Sequence, residues 1–506
     1  METSLRKNYQ SLVEKLQEIS QIGSIMGVLH WDQEVIMPKG GADSRAKQIS
    51  TLAGIHHEKS THPEIGELLE KLISCDGSDF NDFEKTNISE AHWAYDRSIR
   101  VPEELVKEIA ELGSRGHMTW VQARKDDSFS DFAPVLEKFV KLIRKRSEYI
   151  DPDTSPYDVN IENFERGTST AELDPLFDNL KSQLIPLIKE IGDSKNKPDA
   201  SFLDGEFPIN IQEKLGKKIS SDMGFSFDHG RMDVSVHPFC GGGDSTDVRI
   251  TTRYRSDNFV ESLYAVIHET GYGLYEQGRM ADAKDLPVSE SMTMGIHESQ
   301  SLFWERMIAQ RKSFCAHYLD TFVDSFPEKL RGVSIQQFYE GINLCKPSFI
   351  RVEADEVTYP MHVILRYELE KGLFDGSISV DQLPDLWNDK MEEYLGIRPH
   401  NNRVGVLQDV HWSSGSFGYF PSYTLGAMYA SQFYDAMIKD IPDSESQIEN
   451  GKFENIKNWL NKNIHSKGKL FSPSDLVMQV TGEPLNPKYF LSYLKGKYGS
   501  IYKLNN

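Results

Sequence analysis

The segment VIHETGYGLYEQ at residues 266–277 carries residue types that can bind and use a divalent metal ion. In a His-Glu-x-x-His helix the two histidines lie four residues apart on one face, so both rings reach one metal, and the glutamate reaches a metal-bound water. His268 and Glu269 are present here, but Tyr272 stands where the second histidine belongs. This partial match is weak by itself, because a single helical histidine is usually structural.

The residues around this motif predict a helix. Asn258 followed by Glu261 is typical of an N-terminal capping box, and Gly278 suits the C-terminus of the same helix. Gly271 and Gly273 weaken an isolated helix, so they predict close packing of another element against it. The predicted apolar face consists of Phe259, Leu263, Val266, Ile267 and Leu274.

A second helical stretch, predicted from about Ser289 to Arg311, contains the sequence GIHESQ at residues 295–300. A glutamate on a neighbouring helix is the usual third protein ligand of a zinc helix, and Glu298 fits that role. His297 precedes it and points in another direction along its helix, so it does not replace the missing histidine. A solvated surface glutamate is the alternative, which the bulky residues 302–304 disfavour.

Most of the remaining chain is predicted to be helical, with one short β segment. Apolar residues recur at helical spacing in Leu5–Ile19, Pro102–Leu112 and Phe132–Tyr149. Residues 231–254 instead alternate apolar and polar side chains around the glycine-rich loop Cys240–Asp247, which predicts a β-hairpin. A strand edge beside the His268 helix is suited to pairing with an extended chain, and a purely structural sheet is equally compatible.

Composition excludes several classes of partner and compartment. The 506 residues include 56 Lys plus Arg against 77 Asp plus Glu, a formal charge of −21 that disfavours nucleic acid and anionic membranes as partners. The N-terminus lacks the apolar region of a signal peptide, and no stretch is apolar enough to span a membrane. We therefore expect a soluble, cytoplasmic protein without disulfides, whose widely spaced thiols stay reduced: Cys75, Cys240, Cys315 and Cys345.

Two later segments collect polar side chains. Ile350–Tyr359 places Arg351 among carboxylates, and Gly405–Tyr423 mixes acidic, aromatic and histidine side chains with glycines. Polar donors concentrated in a glycine-rich stretch indicate a binding loop rather than a core.

With these residues considered together, the sequence resembles the M32 metallocarboxypeptidases, the thermostable carboxypeptidase family, over nearly its whole length. The matching segments are His237-Pro238-Phe239, Asp247 to Thr251, the His268 helix, His297 to Gln300, Ile350-Arg351 with Ala354-Asp355, and Gly405 through Gln408-Asp409 to His411-Trp412. Supporting segments are Trp31 to Glu34 and Thr481 to Pro487. So many ordered matches make a chance resemblance untenable.

The resemblance implies a mainly α fold, namely a large helical body with a deep active-site groove and a small antiparallel β-sheet. It implies one M32-type unit spanning residues 1–506, with the catalytic segments in 231–423. The helical parts 1–230 and 424–506 would form the groove walls. It also implies a homodimer.

The family's site residues carry over by position. The resemblance implies one divalent metal ion per chain, zinc or else cobalt, with His268 and Glu298 as ligands and Tyr272 at the remaining ligand position. Glu269 would act as general base and then as acid on peptides with a free C-terminus. The planar fork of Arg351 matches a terminal carboxylate. Less specific candidates for the substrate or the oxyanion are His237, His411, Tyr419 and Tyr423.

Tyr272 leaves three outcomes open. The phenol could bind metal as phenolate, but its reference pKa of about 10, against about 6.5 for imidazole, makes deprotonation costly at neutral pH. His268 and Glu298 could hold the metal together with extra water, at reduced affinity. Losing a residue that only orients a ligand lowers metal affinity roughly 10- to 100-fold, and losing a ligand itself should lower it more. The chain could also be a metal-deficient pseudoenzyme that binds peptide C-termini without cleaving them.

Overall fold

The structure, a computed structural model, describes residues 2–75 and 78–504, and within them the chain is mainly helical, as predicted. The helices of this part are α1 (Glu2–Val35), α2 (Ala42–Ser60), α3 (Pro63–Ile73), α4 (Asp82–Arg100), α5 (Glu103–Asp126), α6 (Phe129–Ile150), α7 (Pro156–Ile161), α8 (Thr170–Asp193), α9 (Ile209–Met223), α10 (Phe259–Gln277), α11 (Met294–Leu302), α12 (Lys312–Ser325), α13 (Pro327–Leu330), α14 (Ile335–Ile342), α15 (Tyr359–Asp375), α16 (Leu383–Leu395), α17 (Pro421–Asp440), α18 (Ser444–Glu449), α19 (Glu454–Asn463), α20 (Pro473–Thr481) and α21 (Pro487–Tyr502). The three strands are β1 (Gly230–Val234), β2 (Cys240–Gly242) and β3 (Val248–Thr252).

The helices predicted from apolar spacing near residues 5–19, 102–112 and 132–149 fall within α1, α5 and α6, and these predictions are confirmed. None of the described helices is long and apolar enough to cross a membrane. All four cysteines are unpaired.

The small sheet is mixed, so the predicted antiparallel hairpin is wrong in its pairing. The strand order is β1-β3-β2, with β1 parallel to β3 and only β2 antiparallel to it. The segment between β1 and β2 crosses β3, where the Thr251 hydroxyl accepts a hydrogen bond from Phe239 N (2.9 Å) and lies 2.7 Å from Ser235 Oγ. Alternation along a strand determines which side chains share a face, but not which strand becomes its partner.

The N-terminal helices have a small hydrophobic core of their own, which is separate from the main one. Trp31 of α1 connects the N-terminal helices to the sheet of the main body. Its ring, 3% exposed, contacts the guanidinium groups of Arg231 (4.6 Å) and Arg249 (4.3 Å), which are register partners on β1 and β3. Two cation–π contacts therefore fix α1 against the sheet.

Helix α10 begins and ends where the sequence predicts. The Asn258 side chain accepts a hydrogen bond from Glu261 N (3.1 Å), and the helix ends before Gly278. A Cβ at Gly271 would lie 2.6 Å from Ser301 Cα, and one at Gly273 would lie 2.6 Å from the Phe225 ring. The prediction that these glycines permit close packing is confirmed.

We expect Gly271→Ala to destabilise the protein by about 1–3 kcal/mol, because the added methyl group would meet backbone atoms of α11 that cannot rotate away. Gly113→Ala in α5 is the matched control, since nothing lies within 4 Å of the added Cβ there. Helix propensity should make that control neutral or more stable by up to about 1 kcal/mol. Denaturant unfolding of both variants tests this, and equal effects would contradict the packing argument.

Candidate active site

His268 is held by two carboxylates on the helical segment that faces α10. Its Nδ1 lies 2.6 Å from Glu305 Oε2, and its Nε2 lies 3.9 Å from Glu298 Oε2. Burial alone lowers the pKa of this imidazole, but the hydrogen bond to Glu305 and the nearby negative charges raise it to about 9. A carboxylate on Nδ1 fixes the ring so that Nε2 faces Glu298.

Glu298 lies on α11, which is shorter than predicted. The helix starts at Met294 and not near residue 289. Thr293 is its N-terminal cap, since the Thr293 side chain accepts a hydrogen bond from Ile296 N (3.3 Å). The chain then continues as a π-helix over Phe303–Ala309. Helix α17 crosses closely above Glu298, where a Cβ at Gly426 would lie 2.4 Å from Glu298 Cγ.

Tyr272 closes the space between His268 and Glu298. Its hydroxyl donates a hydrogen bond to Glu298 Oε2, the same oxygen that faces His268. Its ring meets His268 edge-on at 5.0 Å and stacks on His297 at 4.5 Å, while His297 Nε2 is 2.9 Å from Glu276. Burial, with the charge of Glu298, raises the pKa of Tyr272 well above that of a free phenol.

These residues do not complete a three-ligand metal site. His268 and Glu298 face each other as two ligands should, but the third position holds a neutral phenol that is already bonded to one of them. Across residues 2–75 and 78–504, no group of three or more His, Cys, Asp and Glu side chains is placed to hold a metal ion. A metal ion at this site would have two protein donors.

Glu269 lies beside His268 and is 5% exposed. Its Oε2 is buried without a hydrogen-bond partner in the described part of the chain. Burial raises the pKa of this carboxyl to about 8. A carboxyl group so placed can both take up and release a proton near neutral pH, as a general base and acid must.

Arg351 is buried beneath Tyr423, whose ring centroid is 4.7 Å from its guanidinium carbon. Its Nε and Nη2 donate to Asp409 Oδ1 at 3.0 and 2.9 Å, and its Nη1 donates to Tyr359 Oη at 2.8 Å. Asp409 also pairs with Arg366 at 2.6 Å. Against the effect of burial, the two guanidinium groups hold the pKa of Asp409 far below its usual range.

The glycine-rich segment brings three of the predicted binding residues together. The His411 ring lies 5.4 Å from Tyr419 and 6.3 Å from Tyr423, and its Nε2 is 3.4 Å from the Tyr423 hydroxyl. Burial is the main cause that lowers the pKa of His411 to about 3, and the positive charges of Arg351 and Arg366 add to this effect. His237 itself is exposed, with Nδ1 3.0 Å from Pro238 O.

Sequence reasoning missed Glu305, although its spacing contained a signal. Glu298 and Glu305 are seven residues apart, which places two carboxylates on one helical face opposite His268. Glu165 left no such signal. It is a fully buried carboxylate that accepts a hydrogen bond from Gly295 N at the start of α11, and burial raises its pKa to about 7.

Comparisons with known proteins identify the family of the chain. The family described as Carboxypeptidase Taq (M32) metallopeptidase matches residues 11–498. Carboxypeptidase 1 of Bacillus subtilis is 39% identical over 489 residues, 97% of either chain, and thermostable carboxypeptidase 1 of Thermus thermophilus is 36% identical over 508 residues, 98% of this chain and 99% of that one. The crystal structure of the M32 carboxypeptidase from Deinococcus radiodurans R1 superimposes with a TM-score of 0.95 at 34% identity, covering 98% of this chain and 100% of that one. The chain therefore belongs to the carboxypeptidase Taq (M32) family of metallopeptidases.

Proposed function

We propose that the protein is a metal-dependent carboxypeptidase that releases single amino acids from peptide C-termini. The observation that carries this proposal is the convergence of His268, Glu269 and Glu298, in which the base is buried beside two facing ligands. Membership of a metallocarboxypeptidase family supports the reaction class.

In metallopeptidases the bound ion activates water and polarises the scissile carbonyl. Glu269 is the residue that would take the proton from the attacking water and return it to the leaving amine. We propose that the hydroxyls of Tyr419 and Tyr423, with His411, donate hydrogen bonds to a substrate carbonyl or to the oxyanion, and the clustering of the three side chains supports this role. Arg351 donates a hydrogen bond to Tyr359 and pairs with Asp409, and we propose that it contributes positive charge near the carboxylate of the substrate.

The finer points of the proposal rest on the family resemblance. We propose one divalent ion per chain, zinc or cobalt, held by His268 and Glu298 more weakly than by three ligands. We also propose a cytoplasmic homodimer in which residues 1–506 act as one unit, with peptides as substrates and His237 at the edge of the binding site.

A second function is favoured by the hydrogen bond from Tyr272 to Glu298. A ligand oxygen already bonded to a neutral phenol must lose that bond before it binds a metal ion. A chain that keeps this bond would be a metal-deficient pseudoenzyme that binds peptide C-termini without cleaving them.

Metal analysis separates the two functions. The protein is purified without chelator, its zinc and cobalt content is measured by mass spectrometry, and release of C-terminal residues from an N-blocked dipeptide is followed during metal titration. The carboxypeptidase predicts turnover that rises with added metal and saturates near one ion per chain. No bound metal and no turnover at millimolar zinc, with the peptide still bound, would establish the pseudoenzyme instead.

A further inference from the structure

Arg306 is a buried cation whose donors are largely unused. It lies in the π-helical segment Phe303–Ala309 and is 6% exposed. Its Nε and Nη1 are buried without a hydrogen-bond partner among residues 2–75 and 78–504, and its closest ion-pair contact is Nε to Glu305 Oε1 at 3.9 Å. A buried guanidinium with donors that lack hydrogen bonds is costly, and π-helical turns are frequent at functional sites, so this group requires an explanation.

Arg306 lies close to the proposed active-site residues. Its guanidinium carbon is 5.3 Å from the Tyr359 ring, which also lies 5.8 Å from that of Arg351. The residue before it, Glu305, holds His268. Arg306 therefore neighbours the residue that orients a ligand and the tyrosine that Arg351 binds.

The carboxylates near Arg306 are already bonded to other donors. Three of them raise the pKa of its guanidinium, namely Glu298, Glu305 and Glu356. Their donors are Tyr272 for Glu298, His268 for Glu305, and Lys497 with Tyr493 and Tyr498 for Glu356. Arg351 differs from Arg306, since each of its three nitrogens donates to Asp409 or Tyr359. Of these two arginines, Arg306 has the donors free for an incoming anion.

We propose that Arg306 binds the terminal carboxylate of the peptide and thereby helps the site to require a free C-terminus. The proposal rests on the proposed function, because it assigns a residue to the substrate's carboxylate. Nη2 of the guanidinium, together with either Nε or Nη1, forms a planar pair of donors that matches a carboxylate, and the low polarity of a buried site strengthens those hydrogen bonds. Arg351, which donates to the Tyr359 hydroxyl, then positions that hydroxyl.

The test compares the affinity of the full-length protein for an N-blocked dipeptide with a free C-terminus and for the same dipeptide as its C-terminal amide. Calorimetry with EDTA present prevents turnover from consuming the peptide. Wild type should bind the acid at least about tenfold more tightly than the amide. Arg306→Met should bring this ratio close to one, and Arg306→Lys should give an intermediate ratio, because a point charge lacks the fork.

Arg311→Met is the matched control, since Arg311 lies five residues further on and is engaged with Glu445 and the Tyr434 ring. It should keep the wild-type ratio. If Arg306→Met fails to fold, Arg306→Lys carries the test, and a wild-type ratio in the folded Arg306 variants overturns the proposal. Turnover of the acid dipeptide by wild type with added zinc tests the proposed function separately, so its failure is distinguishable from failure of the Arg306 assignment, which the binding ratios decide.

Discussion

Tyr272→His should convert the site into one that binds zinc stoichiometrically and releases C-terminal residues faster than wild type. The substitution removes the phenol that donates to Glu298 and places an imidazole one helical turn from His268. Loss of a residue that only orients a ligand costs roughly 10- to 100-fold in affinity, so regaining a ligand should increase zinc affinity by more than about 100-fold. Competition with a chelator measures this affinity.

Tyr272→Phe is the control for that experiment. It also breaks the hydrogen bond to Glu298 and keeps the ring that stacks on His297, but it adds no ligand. It should leave the zinc affinity well below that of Tyr272→His. An equal gain in zinc affinity in both variants would show that the hydrogen bond to Glu298, and not the missing ligand, limits metal binding. No gain in either variant would show that the cause of weak metal binding is not residue 272.

Glu269→Gln, made in the Tyr272→His protein, should lower kcat by about 100- to 10,000-fold while leaving the zinc content unchanged. General acid–base catalysis typically contributes a factor of this size, and glutamine cannot carry the proton. Zinc should be retained because the proposed ligands His268 and Glu298 are unchanged. Steady-state kinetics and metal analysis on the same preparation give both quantities.

Glu261→Gln on the first turn of α10 makes the same change of charge away from the site. Glu261 pairs with Arg253 at 2.8 Å near the surface, and its replacement should leave kcat within about twofold, as expected for a surface pair. Residual turnover in the Glu269 variant close to that of its parent would contradict the assignment of Glu269 as the base.

The sequence was sufficient to predict features that depend on local spacing. The cap at Asn258, the packing at Gly271 and the helical character of the chain all follow from residue types at fixed intervals. The prediction that Glu298 lies near His268 rested on a motif and on a family resemblance. The two side chains are close together in the structure.

Features that depend on tertiary packing were not predictable in this way. The parallel pairing of β1 with β3 depends on how the intervening segment crosses the sheet, which alternation does not encode. The π-helical turn that buries Arg306 looks like an ordinary helix in sequence, and no spacing rule distinguishes its unused donors from a surface arginine. The bond between Tyr272 and Glu298 became visible only when burial and direction were known.

The glycines on either side of α11 have a consequence for the history of this site. Gly271 lets α11 pack closely against α10, and Gly426 lets α17 pack closely against Glu298, so the path of α11 depends on contacts at two glycines and not on residue 272 alone. Tyrosine and histidine codons differ only in their first base. A single transition in the gene can therefore exchange tyrosine and histidine at this proposed ligand position, without a second, compensating substitution in the surrounding helices.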